Sequence, residues 1–138
     1  MANVRKQGHN LERYYVKALA TLFGLTPYKP GVKSYNIAST RLMSKGLDDA
    51  GVDIWFKDKP YSKLAIQLKK KLSRGKDTIS INVDPLDRIE EFEYPILITK
   101  VTKPAGKREK THRTYMTVPI ELGMDMLKLL INEERRVQ

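Results

Sequence analysis

The chain has 138 residues, 41% of them hydrophobic, which is typical of one folded domain over residues 1–138. It has no cysteine and two histidines, which excludes a disulfide framework and a thiolate zinc site and favours a cytoplasmic protein. The formal net charge of +10 favours a polyanionic partner, and no apolar run approaches the roughly 18 residues of a membrane span or resembles a signal peptide.

The first predicted element is a helix over residues 10–24, in which Leu11, Val16 and Leu19 recur with helical spacing. Glu12 lies four residues before Val16, inside the apolar stripe rather than on the polar face. The pattern therefore predicts a carboxylate that points inward, although a solvated acid at the edge of the stripe is the alternative.

A long polar connection leads to two predicted strands at residues 51–56 and 64–69, which form a hairpin around a turn near Pro60. Alternate side chains of a strand share a face, so Asp53 is expected opposite Lys69, with Gln67 as a diagonal neighbour. A slip of one residue in the register separates them.

The rest of the chain predicts further strands and two helices. The predicted elements are a strand at 78–83, a short helix from 84, an apolar strand at 94–101, a strand at 114–118 and a last helix that begins after Pro119. This order predicts an α/β fold with a central mixed β-sheet flanked by helices.

Asp53, Gln67 and Lys69, together with Glu12, are suited to phosphodiester hydrolysis. Magnesium prefers oxygen ligands, and carboxylates, an amide oxygen and a main-chain carbonyl supply them. A lysine beside the metal stabilises developing negative charge and orients the attacking water. Taken singly, each residue favours an ordinary surface or turn position, and it is the four together, in this chain order, that favour the functional interpretation.

Four segments in this order resemble the PD-(D/E)xK nuclease superfamily and, within it, the archaeal-type and phage Holliday junction resolvases. The segments are GHNLER at 8–13, STR at 39–41, GVD at 51–53 and IQLKKK at 66–71. The resemblance implies a restriction-endonuclease-like fold and a DNA endonuclease that resolves Holliday junctions or other branched DNA. It implies Glu12, Asp53, Gln67 and Lys69 as catalytic residues. Mg²⁺, with Mn²⁺ as an alternative, is then held by Asp53, Gln67, Glu12 and the Leu68 carbonyl.

The sequence departs from the family at Gln67, where most members have a glutamate, although the Mrr-type restriction nucleases have the same glutamine. An amide oxygen can bind a metal but adds no negative charge. Glu12, Asp48 or Asp49 is the alternative source of that charge. A restriction- or repair-type nuclease acting on linear duplex, and an inactive DNA-binding protein on the same fold, remain alternative functions.

Basic residues on both sides of this site predict contacts with the DNA backbone. The candidates are Ser39, Arg41, Lys45, Lys70, Lys71, Arg74, Lys76, Lys107, Arg108 and Lys110. Cutting two strands of a symmetric junction requires a twofold dimer, so a homodimer is expected. The apolar strand and the last helix either form its interface or complete the monomer core. The expected location is the cytoplasm, that of the host for a phage protein.

Overall fold

The computed structural model describes residues 4–75 and 78–137 of the chain. The helices within these residues are α1 (Val4–Phe23), α2 (Thr40–Met43), α3 (Lys45–Ala50), α4 (Asp84–Asp87) and α5 (Ile120–Arg136). The strands are β1 (Ile37–Ser39), β2 (Ile54–Phe56), β3 (Leu64–Leu72), β4 (Tyr94–Ala105) and β5 (Arg108–Thr117). The predicted mixed α/β class is therefore confirmed.

Strand pairing divides the described strands into two sheets. β1 and β2 form an antiparallel pair, and the larger sheet has the order β3-β4-β5. β3 runs parallel to β4, and β4 pairs antiparallel with β5 through a hairpin whose turn contains Gly106. The central sheet is mixed, as the sequence predicted.

The core lies on both faces of β3 and β4, because alternate side chains of a strand point to opposite faces. Ile66 and Leu68 pack with the apolar stripe of α1 in one cluster. Ala65 and Leu97 pack with Ile89 and its neighbours in the other. Helix α1 and the segment around α4 thus cover opposite faces of the sheet.

Helix α1 begins at Val4, before the predicted start at residue 10, and ends at Phe23. Leu11, Val16 and Leu19 are buried, and Glu12 is buried beside them. The predicted inward position of this carboxylate is confirmed.

Two predicted strand features were wrong. The hairpin between residues 51–56 and 64–69 is not a regular ladder, because β2 pairs with β1, while Asp53, just before β2, hydrogen-bonds to β3. Residues 78–83 lie outside any strand, although Ile79 and Ile81 are half-buried and Ile81 packs on the second cluster. An alternating apolar pattern reports which side chains are covered, and an extended coil can satisfy it without a ladder partner.

The last helix follows Pro119 as predicted, but it does not enter the core. No residue of α5 is buried, and of its apolar residues Leu122, Met126, Leu129 and Leu130 only Leu122 packs against the first cluster. Within the described residues, no helix combines the length and the apolarity needed to cross a membrane.

Candidate functional site

The candidate site lies where β2 separates from β3, at Asp53. The Asp53 N–H donates to the Ile66 carbonyl at 2.8 Å, while the Asp53 carbonyl accepts from the Thr40 N–H at 3.0 Å. Its neighbours Val52 and Ile54 pack in different clusters, on opposite faces of the sheet. The chain therefore changes faces at Asp53, which places this side chain in the gap between the strands.

The Asp53 carboxylate reaches across this gap to the main chain of β3. Its Oδ2 accepts a hydrogen bond from the Leu68 N–H at 2.7 Å. The N–H and C=O of one strand residue point toward the same edge, so the Leu68 carbonyl also faces the Asp53 side rather than β4. A side-chain carboxylate and a main-chain oxygen thus share one edge of the sheet.

The surroundings of Asp53 oppose its negative charge. Burial, with smaller contributions from the carboxylates of Glu12 and Asp48, raises the pKa of Asp53 from 3.8 to about 6. The Leu68 N–H and the Lys69 ammonium act in the opposite direction. A cation held beside Asp53 is the most direct way to stabilise the ionised form.

Glu12 is held in place by two donors, one at the end of β1 and one in α2. Its Oε2 accepts from the Ser39 hydroxyl at 3.0 Å and from Arg41 Nε at 3.0 Å. The STR segment that the sequence assigned to DNA contacts therefore positions a carboxylate. Ser39 is buried, whereas Arg41 is exposed.

Gln67 and Lys69 lie on β3 on either side of Leu68, and the strand alternation gives them a common face. Gln67 is buried, and its Oε1 has no hydrogen-bond partner among the described residues. That oxygen lies 3.6 Å from the position that a side-chain carbon on Gly51 would take. Lys69 is exposed and close enough to act on the Asp53 charge.

The register between Asp53 and β3 differs from the prediction. The main chain of Asp53 lies beside Ile66, not opposite Lys69, because Asp53 is no longer part of a continuous ladder. The carboxylate nevertheless extends along β3 as far as Leu68. The Asp53 carboxylate therefore comes near Lys69 because its side chain extends along β3, and not because the two residues pair across strands.

Two residues around the site were not singled out from the sequence. Thr99 lies on β4 opposite Lys69, and its buried hydroxyl has no hydrogen-bond partner in the part of the chain that the structure describes. Arg88 donates to the Asp49 carbonyl at 3.0 Å, and its guanidinium lies beside Gly51. Neither position has a local sequence signal, since each depends on how later segments pack on β3.

The other two acids considered as sources of charge differ from each other. The Asp48 carboxylate lies 3.5 Å from the Thr40 hydroxyl and contributes to the raised pKa of Asp53. Both residues are exposed, but Asp49 is not among the groups that shift the pKa of Asp53. Asp48, rather than Asp49, belongs to the surroundings of Asp53.

Within residues 4–75 and 78–137, no three His, Cys, Asp or Glu side chains form a group that could hold a metal ion. The oxygen donors around Asp53 are the Glu12 carboxylate, the Gln67 amide oxygen and the Leu68 main-chain carbonyl, so only one of them is a second carboxylate. Magnesium typically uses one or two carboxylates and keeps several waters, so this donor set fits it.

Most of the predicted DNA contacts form two groups of basic residues. Lys70, Lys71 and Arg74 continue from the site along and beyond β3, and Lys107, Arg108 and Lys110 are exposed around the β4–β5 turn. Lys45 is exposed at the start of α3. Lys70 forms an ion pair with Glu109 at 2.5 Å, and Lys76 lies outside the described residues.

A groove of about 440 Å³ lies between α1 and the central sheet, next to Lys70. Tyr14 from the helix and Lys100 from β4 also line it, and neither was predicted as a contact residue. The combination arises because α1 crosses the strands, which bring together residues distant in sequence. An aromatic ring beside two cations suits a nucleic-acid chain.

No family model matches the chain, and comparisons with curated proteins and with solved structures gave no significant match.

Proposed function

We propose that the chain is a Mg²⁺-dependent DNA endonuclease that hydrolyses phosphodiester bonds in branched DNA, with Mn²⁺ as an alternative ion. The proposal includes the restriction-endonuclease-like arrangement for the α1, β2 and β3 region. The observation that carries it is the position of Asp53, a carboxylate in a gap between strands, whose surroundings disfavour its charge. Perturbed acids of this kind are concentrated at functional sites.

The residues that would hold the ion are Asp53 and the Leu68 carbonyl, with Glu12 and the Gln67 amide oxygen completing or supporting the set. When bound, Mg²⁺ neutralises charge on the phosphate oxygens and lowers the pKa of an attacking water. The unpartnered Gln67 Oε1 supports this assignment, since a buried acceptor without a donor is costly unless a ligand or water meets it.

The other residues hold and complement the reacting group. Ser39 and Arg41 keep Glu12 in a fixed orientation through their two hydrogen bonds. Lys69 is exposed at the edge of the gap, where its ammonium group can neutralise negative charge that develops on a phosphate. Orienting Glu12 and neutralising charge on the phosphate are thus assigned to side chains that surround Asp53.

The basic residues along β3 and around the β4–β5 turn support binding of a DNA backbone, through contacts that do not read sequence. The branched substrate rests on the resemblance in motif order to junction resolvases. The net charge of +10 suits a substrate in which several duplex arms bring phosphates together.

A DNA-binding protein without hydrolytic activity is the second candidate, and Gln67 is the observation that favours it. Where the related nucleases use a second acid, this chain has a neutral amide. The loss of one negative charge weakens the attraction for a divalent cation. Binding of DNA does not depend on that charge.

The discriminating experiment compares cleavage of a four-way junction and of a linear duplex of matched sequence, in Mg²⁺ and in EDTA. The parent chain is expected to cut the junction faster than the duplex, only with metal, and Asp53→Ala to abolish cleavage. Asp58→Ala, at an exposed aspartate in the turn before β3, is the matched control and should cut normally.

Gel-shift measurements on the same variants complete the test. Cleavage of both substrates at equal rates would support a nuclease for linear duplex. If the parent and Asp53→Ala both bind DNA without metal and neither substrate is cleaved, the nuclease proposal is wrong and the second candidate, a DNA-binding protein without hydrolytic activity, is supported.

A further inference from the structure

Helix α5 presents a regular apolar seam to solvent. Ile120, Met124, Leu127 and Ile131 follow one another at spacings of four, three and four residues, which is the pattern of the a and d positions of a coiled coil. These four side chains are between 52% and 70% exposed. A seam of this kind on one helix is normally covered by another helix.

The charge of α5 points to a protein partner rather than to DNA or an anionic membrane. The helix has four acidic and three basic side chains, so it lacks the positive excess of the rest of the chain. DNA and anionic membranes both attract basic helices, which α5 is not, and DNA would in addition leave this apolar seam uncovered. The occupant must therefore offer an apolar helical surface.

The residues beside the seam make α5 complementary to itself in one orientation. In an antiparallel pair that sets Ile120 against Ile131 of a second copy, Met124 meets Leu127. Glu121 then lies close to Lys128 of the other copy, twice by symmetry. A parallel pair offers no such attraction, because Lys128 then faces Gly123 of the other copy and not Glu121.

We propose that the chain forms a homodimer in which the α5 helices of two copies pack antiparallel through this seam. Gly123 has no side chain and faces Leu130 of the other copy across the second flank, where a close approach is tolerated. The pairing covers apolar side chains that the monomer leaves in water. It does not depend on the proposed nuclease function.

The edge of the central sheet is a less suitable interface. β5 is the outer strand, and its exposed side chains include Arg108, Lys110 and Arg113. Two copies joined along this edge would place like charges together, and charged edge strands generally resist such pairing. The apolar seam of α5 has no corresponding repulsion.

Sedimentation equilibrium over a range of protein concentrations tests the interface. The parent is expected to dimerise, and Leu127→Asp to raise the dimer dissociation constant about 30-fold or more. Leu129→Asp is the matched control, because Leu129 is at least as exposed as Leu127 on the same helix but lies on the opposite side from the seam. A parent that stays monomeric at millimolar concentration, or equal effects of the two variants, would overturn the proposal.

Charge exchange and cross-linking test the orientation. Glu121→Lys and Lys128→Glu should each weaken the dimer severalfold, and the double variant should restore it. Since the chain has no cysteine, oxidised Ile120→Cys/Ile131→Cys should form covalent dimers. Ile120→Cys alone should not, because its two copies lie about 16 Å apart along the helix axis. Efficient cross-linking of the single variant, or a double charge variant that stays weak, would exclude the antiparallel pair.

Discussion

Replacing Asp53 by asparagine should stabilise the protein in the absence of metal. Asparagine keeps an oxygen that can accept the Leu68 N–H, and it removes a charge that burial and the neighbouring carboxylates disfavour. An active-site group that lowers the stability of the empty protein is a common cost of function. The effect has a sign opposite to that of most substitutions, which destabilise.

The magnitude and its pH dependence follow from the raised pKa of Asp53, from 3.8 to about 6. The folded state binds more protons than the unfolded state between these values, so stability falls as the pH rises through this window. Complete ionisation therefore costs the parent up to about 3 kcal/mol above pH 6. Asp53→Asn avoids this cost, so its advantage should be near zero at pH 4 and about 1 to 3 kcal/mol at pH 8.

Urea unfolding in EDTA at pH 4 and pH 8 measures this difference for the parent and Asp53→Asn. Asp58→Asn is the control, and its effect should stay within about 0.5 kcal/mol at both values. At pH 8, Mg²⁺ should stabilise the parent by mass action and leave Asp53→Asn unchanged. A variant that is less stable than the parent at pH 8, or whose advantage does not grow with pH, would refute the reasoning.

Three further variants test the remaining parts of the proposed site and of the DNA contacts. Gln67→Glu should bind Mg²⁺ more tightly, by about tenfold or more in calorimetric titration, because it adds a carboxylate beside Asp53; an unchanged affinity would remove Gln67 from the ligand set. Lys69→Ala should slow single-turnover cleavage by about 100-fold or more with little change in DNA affinity, and a loss confined to binding would contradict its assigned role. Neutralising the three cations around the β4–β5 turn should flatten the salt dependence of DNA binding, and an unchanged slope in fluorescence titrations would place the DNA elsewhere. These cations are Lys107, Arg108 and Lys110.

The sequence was most informative where the spacing of apolar residues fixed both the secondary structure and the burial of a segment. The apolar stripe of α1 predicted both the helix and the inward position of Glu12, because a carboxylate within such a stripe has no other direction to take. The continuous apolar run at 94–101 likewise predicted β4, which is buried between α1 and the α4 segment. The mixed sheet followed from the order of these elements.

The details of the site depended on long-range packing that no local pattern specifies. Asp53 leaves the predicted ladder because Thr40, which precedes it by 13 positions in the chain, takes its carbonyl. Ser39 and Arg41 were predicted as DNA contacts, yet the structure pairs both with Glu12. Residues 78–83 alternate as a strand does, but the sequence could not show that they lack a ladder partner.

The central claim is that Asp53 and the Leu68 carbonyl share a divalent cation. Crystals soaked in Mn²⁺ test it most directly, because anomalous scattering locates the ion without reference to activity. The account predicts a peak within about 2.5 Å of an Asp53 carboxylate oxygen and of the Leu68 carbonyl oxygen, and none in crystals of Asp53→Asn. A saturating soak that leaves this gap empty, or that places manganese only elsewhere on the surface, would contradict the account.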